Sequence, residues 1–340
     1  MYKRGIPVRK LSDGDFKAEP SVTFVVIAFN EEFGIVDTLH SILNQKTNIK
    51  FSVLLIDDGS TDKTVELVEK NFGTEVQVFR QRNLGRGAAR LQGISLTSSE
   101  FIAMVDADVR IPANWLQTCY DSISGYAGVG GVAVPDGDCA TIGRIFGLKA
   151  RIRSGSVALM GSNCLLNTAI LKSLGSEWAT RLGEDYRLNQ ILVREGYSSK
   201  SLPSLVALHL ENKSFAQTLK WMYKSGNDAT KLWITYKLLR VPDLAFIGFG
   251  LCLGMLPILF EDRVLMGIFL LFLFILLVGL AHLISKFEVR KQKWRLLSAC
   301  LPNSALMLCY LLGRAFGLLV ILKERIFQYF NENVIDSRSS

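Results

Sequence analysis

The chain has 340 residues, enough for two ordinary domains, and 49% of them are hydrophobic, with a mean hydropathy of +0.26. That apolar share exceeds what a purely water-soluble enzyme carries, so part of the chain is expected in lipid. The net charge of +8 would suit nucleic acid, but the basic residues gather beside apolar runs, where anionic membrane lipids are the fitting partner; no nucleic-acid partner is expected.

Residues 1–20 form a basic segment without an apolar stretch of signal-peptide type, so export of the domain after it is not expected. The run 21–28 is β-branched and apolar, as in a strand buried on both faces of a parallel sheet; Phe29-Asn30-Glu31-Glu32 breaks it. Apolar residues at helical spacing, Ile35, Val36, Leu39, Ile42 and Leu43, then predict a helix over 32–44. The pattern repeats: strand 51–56, turn Asp57-Asp58-Gly59-Ser60-Thr61-Asp62, helix 63–71 closed by Gly73, strand 75–79, helix 87–97 and strand 101–105. Ser60, Thr61 or Asp62 would cap the second helix.

Such alternation predicts an α/β fold with a parallel or mixed sheet and helices on both faces. Ligands of open α/β sheets lie beyond the carboxyl ends of the strands. The polar groups at those ends are Asn30-Glu31, Asp57-Asp58, Arg82-Asn83 and Asp106-Ala107-Asp108. In extended backbone residues i and i+2 share a face, so Asp106 and Asp108 would converge, and two close carboxylates repel unless a cation sits between them. Mg2+ or Mn2+, which bridges one or two carboxylates to substrate phosphates, is the economical partner; the structural alternative is an Asp-x-Asp turn capping the segment at 111–115.

Residues 214–243 place Trp221, Tyr223, Trp233 and Tyr236 among Lys220, Lys224, Lys231, Lys237 and Arg240, the composition of amphipathic helices on a membrane surface. Beyond them the region 244–322 predicts three membrane helices, at 244–260, 264–285 and 296–322, followed by a tail at 323–340. Arg314, in the third, would face a helix bundle, meet an acidic lipid group or snorkel to the membrane edge. Five of the ten residues 286–295 are basic, so this loop is expected in the cytoplasm, and with it the 240 residues before the first hairpin. The six cysteines show no CxxC pairing, which predicts reduced structural thiols and no metal held by sulfur.

The order VVIAFNEE, LLIDDGSTDKT, RNLGRGAAR, MVDADVR, GSNCLL and LGEDYRL resembles the family-2 glycosyltransferases of the GT-A fold over residues 21–230. The resemblance implies a cytoplasmic GT-A catalytic domain at 21–213 with a mixed, mainly parallel sheet, tied to the cell membrane by C-terminal helices. It implies that Phe29, Asn30 and Glu31 line the base and ribose of a UDP- or GDP-linked sugar, and that Asp57 or Asp58 accepts hydrogen bonds from them. Asn83, Gly85 and Arg90 would favour the diphosphate at a helix start. Asp106 and Asp108 match the metal and diphosphate motif, with Asp106 on ribose or metal and His209 as a further metal ligand. Gly161, Ser162 and Asn163 would lie under the sugars, Asp185 would act as general base and Glu184 would position the acceptor. Read on its own, Glu184-Asp185 also suits the start of a helix.

The first motif departs from the family pattern, with Ala28-Phe29-Asn30 where Pro-x-Tyr-Asn is usual, but the ring is kept. The stretch Gln217-Thr218-Leu219-Lys220-Trp221 has the spacing of the Gln-x-x-Arg-Trp segment of processive synthases, with Lys in place of the bidentate Arg. The expected function is inverting transfer of a sugar to a lipid-linked acceptor, a polyprenyl phosphate or a glycolipid. A processive polysaccharide synthase and a non-catalytic nucleotide-binding scaffold are the alternatives.

Overall fold

The structure is a computed structural model that describes residues 21–135, 145, 159, 161–181, 183–210, 214–236, 246–251, 264–286 and 293–336. The chain divides into two units, one comprising Met1–Asp136 with Ile152–Asn212 and the other Gly137–Arg151 with Lys213–Ser340.

The first unit is built on an eight-stranded sheet. The strands are β1 (Val22–Ala28), β2 (Phe51–Asp57), β3 (Val76–Arg80), β4 (Phe101–Asp106), β5 (Val109–Arg110), β6 (Gly128–Pro135), β7 (Asn163–Asn167) and β8 (Ser199–His209). They lie in the order β3-β2-β1-β4-β7-β6-β8-β5. Pairs β1/β2, β1/β4, β2/β3 and β6/β8 are parallel, while β4/β7, β6/β7 and β5/β8 are antiparallel. This is the expected mixed, mainly parallel sheet.

Helices α1 (Ile35–Leu43), α2 (Thr64–Phe72), α3 (Arg86–Ser95) and α4 (Trp115–Ser122) connect the first strands, and α5 (Thr168–Ser173) and α6 (Glu184–Arg194) come after β7. All seven residues of β1 are buried, so both faces of the central strand are covered, as its unbroken apolar run requires. Alternate residues feed two cores. Phe24, Val26, Leu55 and Val105 join Leu39 and Trp115 on one face, and Val25, Ile56, Met104 and Leu166 join Ile94 and Trp178 on the other. Each fully buried aliphatic side chain contributes about 1.5–3 kcal/mol, which holds the strand ends in fixed register.

Asp62 is the side chain that serves the start of α2: its Oδ1 accepts from the Thr64 amide at 3.0 Å, and its Oδ2 accepts from the Glu32 amide at 3.1 Å. One carboxylate thus ties the loops after β1 and β2 together.

The second unit holds α7 (Phe215–Tyr236), α8 (Val264–Lys286) and α9 (Lys293–Asp336); residues 246–251 are also helical. Among the described residues two stretches are long and apolar enough to cross a membrane, Gly267–Ile284 in α8 and Leu297–Ile326 in α9. Of the first expected span, 244–245 and 252–260 lie outside the described residues, as does 287–292 of the basic loop. The third expected span and much of the tail are one continuous 44-residue helix with Pro302 inside it.

Residues 215–236 form one helix that packs along α9 through glycines. A Cβ on Gly226 would fall 2.0 Å from the Tyr310 carbonyl oxygen, and one on Gly313 would fall 1.9 Å from that of Tyr223. Small residues at such contacts let helix backbones approach closely. At its N-terminus the Ser214 amide donates to Gln217 Oε1 at 2.7 Å and the Gln217 amide to Ser214 Oγ at 3.3 Å. The glutamine of Gln-x-x-Lys-Trp is therefore half of a capping box. Between α8 and α9, Asn303 Nδ2 donates to the Gly279 carbonyl at 2.8 Å. Arg314 is fully buried, with its guanidinium carbon 4.9 Å from the Phe246 ring centre and 5.6 Å from that of Trp233. It faces the interior of the helix bundle.

Candidate active site

The strand ends carry the candidate residues. Phe29 is 45% exposed at the end of β1. Asn30 adopts a left-handed φ of 58°, and its Oδ1 accepts from the Thr61 amide at 2.8 Å while its own amide donates to Ser60 Oγ at 2.9 Å. The Glu31 amide donates to Thr64 Oγ1 at 2.8 Å. Asparagine is a residue type that tolerates φ > 0, and its side chain here bridges to the loop after β2.

Asp57 and Asp58 end β2 facing internal donors. Asp57 is fully buried; its Oδ2 accepts from Arg80 Nε at 2.9 Å, and its carboxylate also accepts from the Ser60 amide. The parallel register of β2 with β3 places Asp57 opposite Arg80. Asp58 Oδ1 accepts from Gln81 Nε2 at 2.7 Å and from the Leu84 amide at 2.8 Å, and Oδ2 from the Gly85 amide at 2.8 Å. The aspartate pair therefore organises the loop 81–85, and Arg80 and Gln81 join the predicted set as partners. Their signal in the sequence was position alone, at the end of a strand parallel to the one carrying the aspartates.

Gly85 begins α3 with φ 95°, a conformation that disfavours side chains. Asn83 Oδ1 accepts from Arg181 Nη2 at 2.9 Å. A Cβ on Gly87 would lie 2.2 Å from the Thr180 carbonyl oxygen, so the helix start is packed against residues 179–181.

Asp106 and Asp108 have separate partners. Asp106, the last residue of β4, accepts on Oδ1 from Arg90 Nη2 at 2.7 Å. Asp108 lies in the turn between β4 and β5, with Oδ2 3.1 Å from His209 Nε2. That pairing comes from the sheet: β5 runs antiparallel to β8 with Val109 opposite His209, which brings the histidine to the neighbouring aspartate from about a hundred residues away. Both side chains are partly open, 18% exposed for Asp108 and 28% for His209.

Arg90 is buried in the centre of the site. Its Nη1 donates to Glu184 Oε1, and Arg86 Nε lies 3.5 Å from the same oxygen. Burial disfavours the Arg90 charge, but the nearby Asp106, Glu184 and Asp185 carboxylates outweigh it and push the pKa up. Glu184 is 1% exposed, and its Oε2 has no hydrogen-bond partner among the described residues. Glu184 and Asp185 open α6 behind Gly183, which has the left-handed φ of 67°. Asp185 is more exposed than Glu184, with Oδ1 accepting from the Tyr186 amide at 2.8 Å. Acidic residues in a first helical turn complement the helix dipole.

Gly161 packs on the guanidinium, since a Cβ there would be 2.7 Å from Arg90 Cζ. Ser162 is half-buried. Asn163 is fully buried and accepts on Oδ1 from Trp115 Nε1 at 2.6 Å, a contact that anchors β7 to α4. Cys164 beside it is held as a thiol, with its pKa pushed up to about 12 chiefly by burial.

Among the described residues no three His, Cys, Asp or Glu side chains are grouped to hold a metal. Asp108 Oδ2 and His209 Nε2, 3.1 Å apart on partly open side chains, supply one hard oxygen and one imidazole nitrogen. That donor set fits a divalent cation whose remaining ligands come from phosphate oxygens and water.

The sequence profile described as "Glycosyl transferase family 2" matches residues 23–144. Among curated proteins, the chain is 32% identical over 105 residues to "Glycosyltransferase GlyG" of Streptococcus pneumoniae serotype 4, covering 30% of this chain and 35% of that one. It is 29% identical over 102 residues to the "Cholesterol galactosyltransferase" of Borreliella burgdorferi, covering 29% and 28%. The match thus spans about a third of the length of these relatives. Among solved structures, the mannosyltransferase PcManGT of Pyrobaculum calidifontis, in complex with GDP-Man and Mn2+, superposes with a TM-score of 0.52 at 17% identity, covering 89% of this chain and 88% of the other. That likeness is one of fold. Residues 23–144 thus match the family 2 glycosyltransferase profile, and the sheet they help to build shares the fold of that mannosyltransferase.

Proposed function

We propose that the first unit transfers a sugar, with inversion, from a UDP- or GDP-linked donor to a lipid-linked acceptor, a polyprenyl phosphate or a glycolipid. The observation that carries the reading is the Asp108–His209 pair at 3.1 Å, set on the β4–β5 turn of a family 2 sheet. Asp108 and His209 would hold Mg2+ or Mn2+, which supplies charge neutralisation for a departing nucleoside diphosphate. The exposed Phe29 ring offers a stacking face for the base. Asp185, more open than Glu184 and at the start of a helix, takes the proton of an acceptor hydroxyl as its oxygen forms the new bond to the anomeric carbon and the bond to the diphosphate breaks.

The two helices of membrane-crossing length and composition among the described residues support a lipid-linked acceptor, as does the named substrate of the Borreliella relative. In this reading the protein is a multi-pass protein of the cell membrane with its catalytic unit in the cytoplasm, on the side of the basic loop at 286–295.

The test is Mn2+-dependent release of UDP or GDP from a panel of nucleotide sugars by the purified full-length protein, wild type against Asp108→Ala and His209→Ala. Both variants are expected to lose metal-dependent release; equal release by wild type and Asp108→Ala sinks the assignment. Asp185→Asn divides the acceptors. Near-complete loss with retained folding marks a hydroxyl, and a mild decrease marks a phosphate, which is already ionised.

A further inference from the structure

The family resemblance puts Arg90 at the donor diphosphate, yet both its terminal nitrogens are taken by carboxylates of the chain itself. Nη2 reaches Asp106 at the end of β4 and Nη1 reaches Glu184 at the start of α6. These are the two places at which the donor-side and acceptor-side residues of the proposed reaction enter the site. We infer that Arg90 is a positioning residue: its buried guanidinium fixes the opening of α6, and with it Asp185, relative to the Asp106-Ala107-Asp108 turn, without itself binding the nucleotide.

Three observations carry this. The side chain of Arg90 is 3% exposed and that of Glu184 1%, so neither meets a ligand from solvent. Gly161 closes the guanidinium from another side, where any side chain would collide with Cζ and Nη2. Position 161 is thereby tied to the arginine, which gives this glycine a packing role. Finally, α6 begins behind a left-handed glycine and is seated on the core through Leu188, Ile191 and Leu192; the Arg90–Glu184 contact adds a polar tie at its first residue, next to Asp185. A planar fork that holds two carboxylates at once sets a distance between them, which a lysine ammonium cannot do in the same way.

The inference rests on the proposed transferase reading, and its test separates the two. Full-length wild type, Arg90→Lys and Glu184→Gln are compared in detergent at about 25 °C, well below their melting temperatures, which are measured first. The probes are UDP and GDP with Mn2+ for binding, and nucleoside diphosphate release from the nucleotide sugar that wild type uses for turnover. Arg90→Lys is expected to bind the nucleotide within about twofold of wild type while kcat falls about 100-fold, the scale of an ångström-sized misplacement of a reacting group. Glu184→Gln, which keeps the size of the partner and weakens its hold on the arginine, is expected to lower kcat in the same direction with the nucleotide affinity again unchanged.

A loss of nucleotide affinity of about tenfold or more in Arg90→Lys, the scale of a lost charged hydrogen bond, would make Arg90 a diphosphate ligand and overturn the inference. So would an unchanged kcat. If Arg90→Lys does not fold, Gly161→Ala, which displaces the guanidinium without removing it, must show the same split between kcat and affinity. Wild type that neither binds nor turns over any probe refutes the transferase reading itself.

Discussion

Asp58→Asn isolates what the aspartate pair does. The carboxylate is 5% exposed and accepts three hydrogen bonds, two on Oδ1 from Gln81 Nε2 and the Leu84 amide and one on Oδ2 from the Gly85 amide. An asparagine of the same shape has a single acceptor oxygen. Turned to keep the two Oδ1 bonds, it points its amide nitrogen at the Gly85 N–H; turned the other way, it faces two donors instead of one. In the better orientation one charge-assisted bond is lost and one buried donor is stranded, about 2–3 kcal/mol. For a unit of this size that is a fall in Tm of about 4–12 °C, read by fluorescence-monitored melting of the full-length protein. Hydrogen exchange should show the amides of Leu84 and Gly85 losing protection first. A Tm within about 1 °C of wild type would refute the reasoning, because it would mean that the carboxylate is free of the loop.

Two further outcomes come from the geometry. Gly226→Val should separate α7 from α9, since even a Cβ would lie 2.0 Å from the Tyr310 carbonyl oxygen, whereas Gly250→Ala, with nothing within 4 Å, should be silent; melting and size-exclusion profiles in detergent distinguish them. Asp62 gives an acid limb. Burial acts to raise its pKa, but hydrogen bonds from the Thr64 hydroxyl and from the Thr64 and Glu32 amides prevail and hold it below the ordinary 3.8. A depressed folded-state pKa adds stability above the ordinary value and loses it as pH falls through the lowered one. Wild type and Asp62→Asn should therefore differ in denaturant midpoint at neutral pH and converge in strong acid.

The strands and helices of the first unit are legible in the sequence because each element buries a patterned face: the unbroken run of β1 and the helical spacing of α1 leave little choice of state. The positions of the strand-end residues are also legible, since a parallel sheet delivers its carboxyl ends together. Their partners are not. The contacts Asp57–Arg80, Asn163–Trp115 and Arg90–Glu184 join residues 23 to 94 positions apart, and nothing local in a sequence states which buried donor meets which acceptor. Asp106 and Asp108 show the limit well. Treating them as extended residues on one face predicts convergence, but the chain turns at Ala107 and Asp108, giving one carboxylate to Arg90 and the other to His209. In the second unit, the charges and aromatic residues of α7 suggest a helix lying on a surface. The glycines at 226, 313 and 317 are the stronger signal, that of a helix packed against another helix.

The 44 residues of α9 amount to about 66 Å of helix at about 1.5 Å per residue. Its candidate span, Leu297–Ile326, closes on Lys323-Glu324-Arg325, and residues 297–322 before them cover about 39 Å on the same rise, against a hydrocarbon layer of about 30 Å. Placed in a bilayer, such a helix has hydrophobic mismatch built into it. It must tilt, bend at Pro302 where the ladder lacks a donor, or thicken the lipid around it. Because α7 is locked to α9 by glycine contacts, any tilt that thickness imposes on α9 is passed directly to α7. In a membrane, bilayer thickness would thereby act as a mechanical input to these two helices, one that varies with lipid composition.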